Sequence, residues 1–210
     1  MRSYEDPCGV ARALDLVGER WTLLVVRELL FGAKRFTDLV RGLPGMSQNV
    51  LSQRLRDLGA AGLVRIVELG PPANARVYEL TERGSALEPV LIELGRWGSR
   101  TAFKPGAELS VDALMLALKT TYVPGPDFSC ELRFGAGVFH VVAERGRLDI
   151  GRGPATQPDV VAEMDAKVLR GLVFGGRGVA AAMRAGALRL TGDQAAFERF
   201  AGCFPRPEPL

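Results

Sequence analysis

Apolar residues in this chain recur every three to four positions in some stretches and every second position in others. The order of the two periods predicts an architecture. Trp21 to Phe31 is apolar on nearly all sides and predicts a buried helix. Gly32-Ala33-Lys34-Arg35 reads as a turn. Phe36, Leu39, Val40 and Leu43 mark a short helix that stops at Pro44-Gly45. Ser47 then suits an N-cap, because its hydroxyl accepts from a free backbone N–H in the first turn. Val50, Leu51, Leu55 and Leu58 follow as one apolar stripe. Leu63 to Leu69 alternates and is β-branched, residues 70–75 are turn chemistry, and Arg76 to Leu80 is a second short strand. The pair predicts a hairpin, or wing. Thr81-Glu82-Arg83-Gly84 opens one more helix, with Leu87, Val90, Leu91, Leu94 and Trp97 at helical intervals.

The helix that starts at Ser47 is polar in an unusual way. Gln48, Asn49, Ser52, Gln53 and Arg56 lie opposite its apolar stripe, mostly without carboxylates. An ordinary solvated face carries more Glu and Lys. Amides, hydroxyls and guanidinium groups are what major-groove reading needs: Asn and Gln match adenine two-fold, Arg matches guanine, Ser meets several base edges. A short helix, a turn containing Gly and a second helix of this kind is the arrangement that lays the second helix in the major groove. The predicted fold class is α+β, with a winged helix-turn-helix domain over residues 1–103.

Several separate motifs in this half resemble, in order, the HxlR family of bacterial transcription regulators, relatives of MarR. They are Cys8 to Asp15, Gly18 to Leu24 (GERWTLL), Arg35 to Leu39 (RFTDL), Leu51 to Leu58 (LSQRLRDL), and Tyr78 to Thr81 with Gly84. The resemblance covers about residues 5–103. It implies a homodimer, paired through the first and last helices of the domain, on a pseudo-palindromic operator in double-stranded DNA. One departure is that the family usually has Cys-Pro near its start, whereas Cys8 is followed by Gly9.

The pattern changes near Lys104-Pro105-Gly106, which places a domain boundary there and a second domain over 104–210. Asp112 to Lys119 predicts a helix. Phe128–Phe134, Val138–Glu144 and Arg147–Gly151 predict three strands joined by tight turns at 135–137 and at Arg145-Gly146. A strand at Val160–Met164, a helix capped by Asp165 and running to Phe174, and a helix over Val179–Ala185 follow. A strand at Leu188–Gly192 and a helix capped by Asp193 end the domain. Leu148 to Gly153, Asp159-Val160-Val161, Gly186 to Asp193 and the closing Phe197, Phe200, Cys203 and Phe204 resemble the sterol carrier protein type 2-like domain. That resemblance implies a sheet covered by helices around an apolar cavity for a hydrophobic molecule. Met115, Leu118, Phe128, Phe139, Met164, Leu169, Phe174, Met183, Phe197 and Phe200 are the candidate lining. Plain core packing is the competing account of each.

Bulk properties narrow the choices only modestly. The chain has 210 residues, 47% hydrophobic, with a formal net charge of +3. Lys and Arg number 14 against 12 Asp and Glu before residue 104, and 13 against 12 after it. Any basic footprint for nucleic acid is therefore local, with Lys34, Arg35, Arg54, Arg56 and Arg76 as its candidates. Met1 to Pro7 is short and polar, so no leader is expected. No stretch is long and apolar enough for a membrane span. Cys8, Cys130 and Cys203 have no metal-ligand spacing, and an odd count suits a reducing cytoplasm. His140, the only histidine, falls in an alternating run and reads as a strand residue. No nucleophile–histidine pair, metal cluster or phosphate-binding glycine motif appears, so neither an enzyme nor a cofactor is expected.

The functional expectation is a cytoplasmic, dimeric, DNA-binding regulator controlled by a hydrophobic small molecule. Gln48, Asn49, Ser52 and Gln53 would read bases, with Ser47 at the same helix end. Lys34, Arg35, Thr37, Arg54 and Arg56 would hold phosphates, and Asn74 and Arg76 would sit at the wing tip near the minor groove. Two half-sites one turn apart ask for reading helices about 34–36 Å apart. Two rivals stay open: a thiol sensor using Cys8, and a lipid carrier whose winged helix serves only dimerisation.

Overall fold

The structure, a computed structural model, describes residues 3–101, 108–135, 137–206 and 208. The chain divides by contact into two compact units, Met1–Leu91 and Ile92–Leu210. The boundary expected at 104–106, and Ala136 of the turn at 135–137, lie outside the described residues.

The first unit contains α1 (Gly9–Val17), α2 (Thr22–Leu29), β1 (Lys34–Arg35), α3 (Phe36–Gly42), α4 (Gln48–Ala60), β2 (Val64–Leu69), β3 (Ala75–Leu80) and α5 (Glu82–Ser85). It ends inside α6 (Glu88–Gly98). Val25, Val26 and Leu29 of α2 are fully or almost fully buried, and α2 packs on α3, α4 and β3. Leu39 and Leu43, with Leu51, Leu55 and Leu58 of α4, complete the core around it.

Local chemistry sets the limits of α4. Ser47 Oγ accepts from Val50 N at 3.3 Å, and Gly62 leaves the helix at φ +67°. Gly45, at φ +86°, lets the chain reverse between α3 and α4 in the left-handed region that a side chain disfavours. Replacing Ser47 by Ala should lower stability by about 1 kcal/mol, read from the urea midpoint of the full chain.

Several expectations change in this unit. Lys34 and Arg35 are not a turn but a two-residue strand, with Lys34 opposite Tyr78 and Arg35 opposite Val77, and the wing is a three-stranded sheet of order β1-β3-β2. The helix expected from residue 81 is two helices. Thr81 Oγ1 caps the first by accepting from Gly84 N at 3.1 Å. A Cβ on Gly84 would lie 2.1 Å from the Leu63 carbonyl oxygen, so α5 sits against the start of β2 as only glycine allows. Val50 leaves the expected apolar stripe and is 38% exposed.

The second unit is built on a five-stranded sheet. Its strands are β4 (Phe128–Phe134), β5 (Gly137–Glu144), β6 (Arg147–Arg152), β7 (Val160–Met164) and β8 (Leu188–Gly192), in the order β6-β5-β4-β7-β8. Only the β4–β7 pairing is parallel. One face is apolar: Phe128, Cys130, Leu132, Phe139, Val141, Ile150, Val160, Ala162, Met164 and Leu188 are buried. Helices α7 (Val111–Thr121), α8 (Ala166–Phe174), α9 (Val179–Arg184) and α10 (Gln194–Gly202) complete the unit, with α10 packed on β4 and β7. Asp193 caps α10 by accepting from Ala195 N, whereas Asp165 makes no side-chain cap bond to α8.

The opposite face carries Glu131, Arg133, His140 and Glu163 in cross-strand register. Glu131 is nevertheless buried, because Ala155 N in the β6–β7 connection donates to its Oε2 at 3.0 Å. His140, expected as a strand residue, is one. Its Nε2 lies 3.1 Å from Asp149 Oδ2, and its ring fills the space that a side chain at Gly151 would need.

Most of the ten candidate lining residues lie in the interior of the second unit. Met115, Leu118, Phe128, Phe139, Met164, Leu169, Phe197 and Phe200 are buried, and Phe174 and Met183 are half-buried. Phe200 stacks at 5.6 Å from Phe128, 5.3 Å from Phe197 and 5.2 Å from Phe204, centroid to centroid. Two surface depressions of about 320 and 870 Å³ are lined instead by residues such as Val123, Arg199 and Cys203, and Val142, Arg147 and Asp149. None of the ten contributes to either. Phe128, Phe197, Phe200 and Phe204 pack against one another in the interior, at distances usual for aromatic pairs.

Candidate nucleic-acid interface

The segment α3–turn–α4 and the β2–β3 wing present the candidate site. The outer side of α4 begins with Ser47, Gln48 and Asn49, all exposed, followed by half-exposed Ser52 and exposed Gln53 and Arg56. Among the described residues, the side chains of Gln48, Asn49 and Ser52 make no hydrogen bond. Thr37 is exposed in the first turn of α3. Arg35 is exposed, and its Nη2 donates to the Ala73 carbonyl at 3.2 Å, tying the start of α3 to the wing tip. At that tip Asn74 takes φ +36°, a conformation Asn tolerates better than most residues. Arg76 is exposed on β3, opposite Glu68.

Two cations expected at phosphates are placed elsewhere. Lys34 Nζ lies 2.8 Å from Glu28 Oε2 and its side chain is only 11% exposed. Glu28 is fully buried in α2 and also takes Arg27 Nη2 at 2.9 Å. The carboxylate holds two cations because a buried charge must be paired. It presses on α3 at Gly42, where a Cβ would lie 2.2 Å from its oxygen. Arg54 is likewise turned inward. Its side chain is 15% exposed, with Nη1 3.2 Å from Glu19 Oε2 and Nη2 3.3 Å from Asp57 Oδ2. Both side chains are thus turned toward carboxylates of the first unit.

Sequence reasoning overlooked Glu28 and Asp57. Glu28 had one signal, the adjacent Arg27-Glu28 interrupting an otherwise apolar run. Asp57 stands four residues after Gln53, the spacing of one helical turn, and Gln53 Nε2 donates to its Oδ1 at 2.8 Å.

Cys8 is exposed, in the N-cap position of α1. Cys130 and Cys203 are buried, and burial pushes both thiols up from their ordinary range. Alkylation of the native chain at pH 8 should therefore label Cys8 alone, as read by peptide mass spectrometry, because the thiolate is the reacting form. Labelling of Cys130 at a comparable rate would show that the second unit opens readily.

Three helices, a turn and a three-stranded wing with an exposed amide-rich helix face define a winged helix-turn-helix domain. Comparison with known proteins agrees: the model of HxlR-like helix-turn-helix proteins matches residues 16–104. YvaP, an uncharacterized HTH-type transcriptional regulator of Bacillus subtilis, is 38% identical over 89 residues, 42% of this chain and 82% of that protein. The chain belongs to the HxlR-like helix-turn-helix family. It is also similar to Rv3095 of Mycobacterium tuberculosis, an uncharacterized HTH-type transcriptional regulator, with 44% identity over 96 residues. That match spans 46% of this chain and 60% of the Mycobacterium relative. YodB of Bacillus subtilis, an HTH-type transcriptional regulator, is 34% identical over 88 residues, 42% of this chain and 79% of its own length. The crystal structure of quinone-bound YodB is 32% identical, covering 43% of this chain and 96% of that one, with a TM-score of 0.38.

Proposed function

We propose that this protein is a transcription regulator whose winged helix-turn-helix binds double-stranded DNA sequence-specifically, as a homodimer. The observation that carries the reading is the exposed face of α4, where Gln48, Asn49 and Ser52 stand beside the wing with their hydrogen-bonding groups uncommitted. Exposed Arg35, Arg56 and Arg76, with Thr37, supply the phosphate contacts that set register. The test is selection from random duplexes followed by competition binding. Gln48→Ala or Asn49→Ala should cost about 1–3 kcal/mol at particular base pairs. Arg56→Ala should weaken all duplexes and flatten the salt slope. Equal loss on selected and random duplexes for the two amide variants would remove them as readers.

Exposed apolar residues support the dimer. Val10 and Leu14 on α1 are 67% and 41% exposed, and Val90, Leu94 and Trp97 on α6 are 53%, 46% and 64% exposed. Apolar rows of this kind on a helix mark an interaction face. Trp97→Glu in the full chain should shift sedimentation from dimer to monomer at micromolar concentration. An unchanged dimer would move the contact off α6.

A second reading concerns control. Cys8 is an exposed thiol in the N-cap position of α1, open to reagents from solvent. YodB has been crystallised bound to quinone. We propose Cys8 as the switch, reacting with electrophiles or oxidants. Quinone should release wild-type protein from its selected duplex and leave Cys8→Ser bound; equal release of both would exclude the thiol.

A further inference from the structure

We infer that Gln53 is an adenine reader whose amide is locked in one orientation, and that Asp57 is the positioning residue that locks it. The inference rests on the DNA-binding reading above and names the base that one residue of that site takes.

A primary amide offers two N–H donors and two acceptor lone pairs. On α4, Gln53 uses one of each. Its Nε2 donates to Asp57 Oδ1 at 2.8 Å, and its Oε1 accepts from Arg56 Nη2 at 2.6 Å. One donor and one acceptor remain on an exposed side chain. Adenine presents the matching pair in the major groove, the N7 acceptor and the N6 donor.

The lock follows from charge and hydrogen-bond type. Turning the amide over would set its oxygen against the Asp57 carboxylate, acceptor against acceptor. It would also set its NH₂ against the Arg56 guanidinium, donor against donor. Both contacts then repel, so one polarity survives.

The carboxylate is anchored in turn. Asp57 Oδ1 faces Gln53, while Oδ2 lies 3.3 Å from Arg54 Nη2, and Arg54 reaches Glu19 at 3.2 Å. Exposure falls along this row: Gln53 and Arg56 are open to solvent, Asp57 is 23% exposed and Arg54 15%. The row thus joins the reading side of α4 to the α1–α2 connection, where Glu19 sits. Gln48 and Asn49 have no such restraint among the described residues, and each can turn its amide to suit the base it meets. A side chain ordered before binding loses less freedom on binding, so Gln53 discriminates more sharply than its free neighbours.

Asp57 has a second, opposite effect. A carboxylate near the phosphate backbone repels it, so removing the charge favours binding to any duplex. A residue that merely supported the fold would not produce this pair of effects.

The experiment uses the full chain as wild type, Gln53→Ala, Asp57→Asn and Asp57→Glu. Each is used to select from random duplexes, and the wild-type selection is competed against every single-base variant. Gln53→Ala should identify one position, and wild type should require adenine there. Asn at 57 offers Gln53 either an oxygen or an NH₂, so the repulsion at 57 is lost and only the Arg56 contact still opposes the turned-over amide. Asp57→Asn should therefore lose about tenfold of the preference at that position. It should keep the preferences elsewhere and bind random duplex at least as tightly as wild type. Asp57→Glu, which restores a carboxylate, should recover most of the preference. The inference is overturned if Asp57→Asn keeps the full preference, or loses it at every position in parallel, or if Asn and Glu at 57 fail alike. It is also overturned if the position that depends on Gln53 is not adenine. A wild-type chain that selects no motif would sink the DNA-binding reading together with the inference, whereas a motif indifferent to Gln53 would sink the inference alone.

Discussion

Replacing Glu28 by Ala should lower the stability of the first unit by about 3–5 kcal/mol, the cost of breaking a buried ion pair from one side. Glu28 is fully buried and takes Arg27 at 2.9 Å and Lys34 at 2.8 Å. Arg27 is 20% exposed and Lys34 11%, so both largely buried cations would lose a carboxylate at hydrogen-bond distance. The loss should appear in the urea midpoint and in faster amide exchange of α2, β1 and α3. It should reach the wing, since Lys34 pairs with Tyr78 of β3. Replacing Glu28 and Lys34 together by Leu should recover much of the loss, because two apolar side chains leave less charge unpaired. A Glu28→Ala cost below about 1 kcal/mol would mean that water reaches the cations and screens them as it does surface pairs.

Phe200→Ala should cost the second unit about 3–5 kcal/mol, the range for truncating a large buried aromatic. Phe200 is fully buried and sits among Phe128, Phe197 and Phe204 at 5.2 to 5.6 Å. Truncation removes the ring's transfer free energy and opens a hole that neighbours anchored on a helix and a sheet can only partly fill. Amide exchange should accelerate in α10, β4 and β7, the elements that meet at this ring. The size of the effect also bears on control of the protein. A cost under about 1 kcal/mol would show a loosely filled interior with room for a hydrophobic molecule. A cost in the full range would show a closely packed interior around this ring.

Much of the fold was legible because its signals are local. Ser47 caps α4 through an atom three residues away. The residues around Gly70-Pro71-Pro72 turn the wing by their own backbone preferences. Strands β4, β5, β7 and β8 follow from alternation, since a half-covered sheet needs apolar residues at every second position. The exposure of Gln48 and Asn49 was legible too, because a helix stripe identifies its opposite face.

The fate of individual charges was not legible. Lys34, Arg35, Arg54 and Arg56 look equivalent along the chain, yet Lys34 is largely covered beside Glu28 and Arg54 is turned toward Glu19 and Asp57. Arg35 and Arg56 stay exposed. Periodicity tells which side of an element a residue occupies but not what another element brings to that side. Glu131 shows the same limit: its strand position points it to the uncovered face, and a connection 24 residues later buries it. The ten apolar residues of the second half carried no mark separating a filled core from a cavity. That depends on how several elements close on one another. Sequence by itself therefore determined most of the elements, the Ser47 and Asp193 caps and the exposed polar face of α4, which follow from backbone preference and side-chain period. Only the tertiary structure decided which cations pair with carboxylates of the fold and which strand residues a connection covers, because each depends on partners distant in the chain.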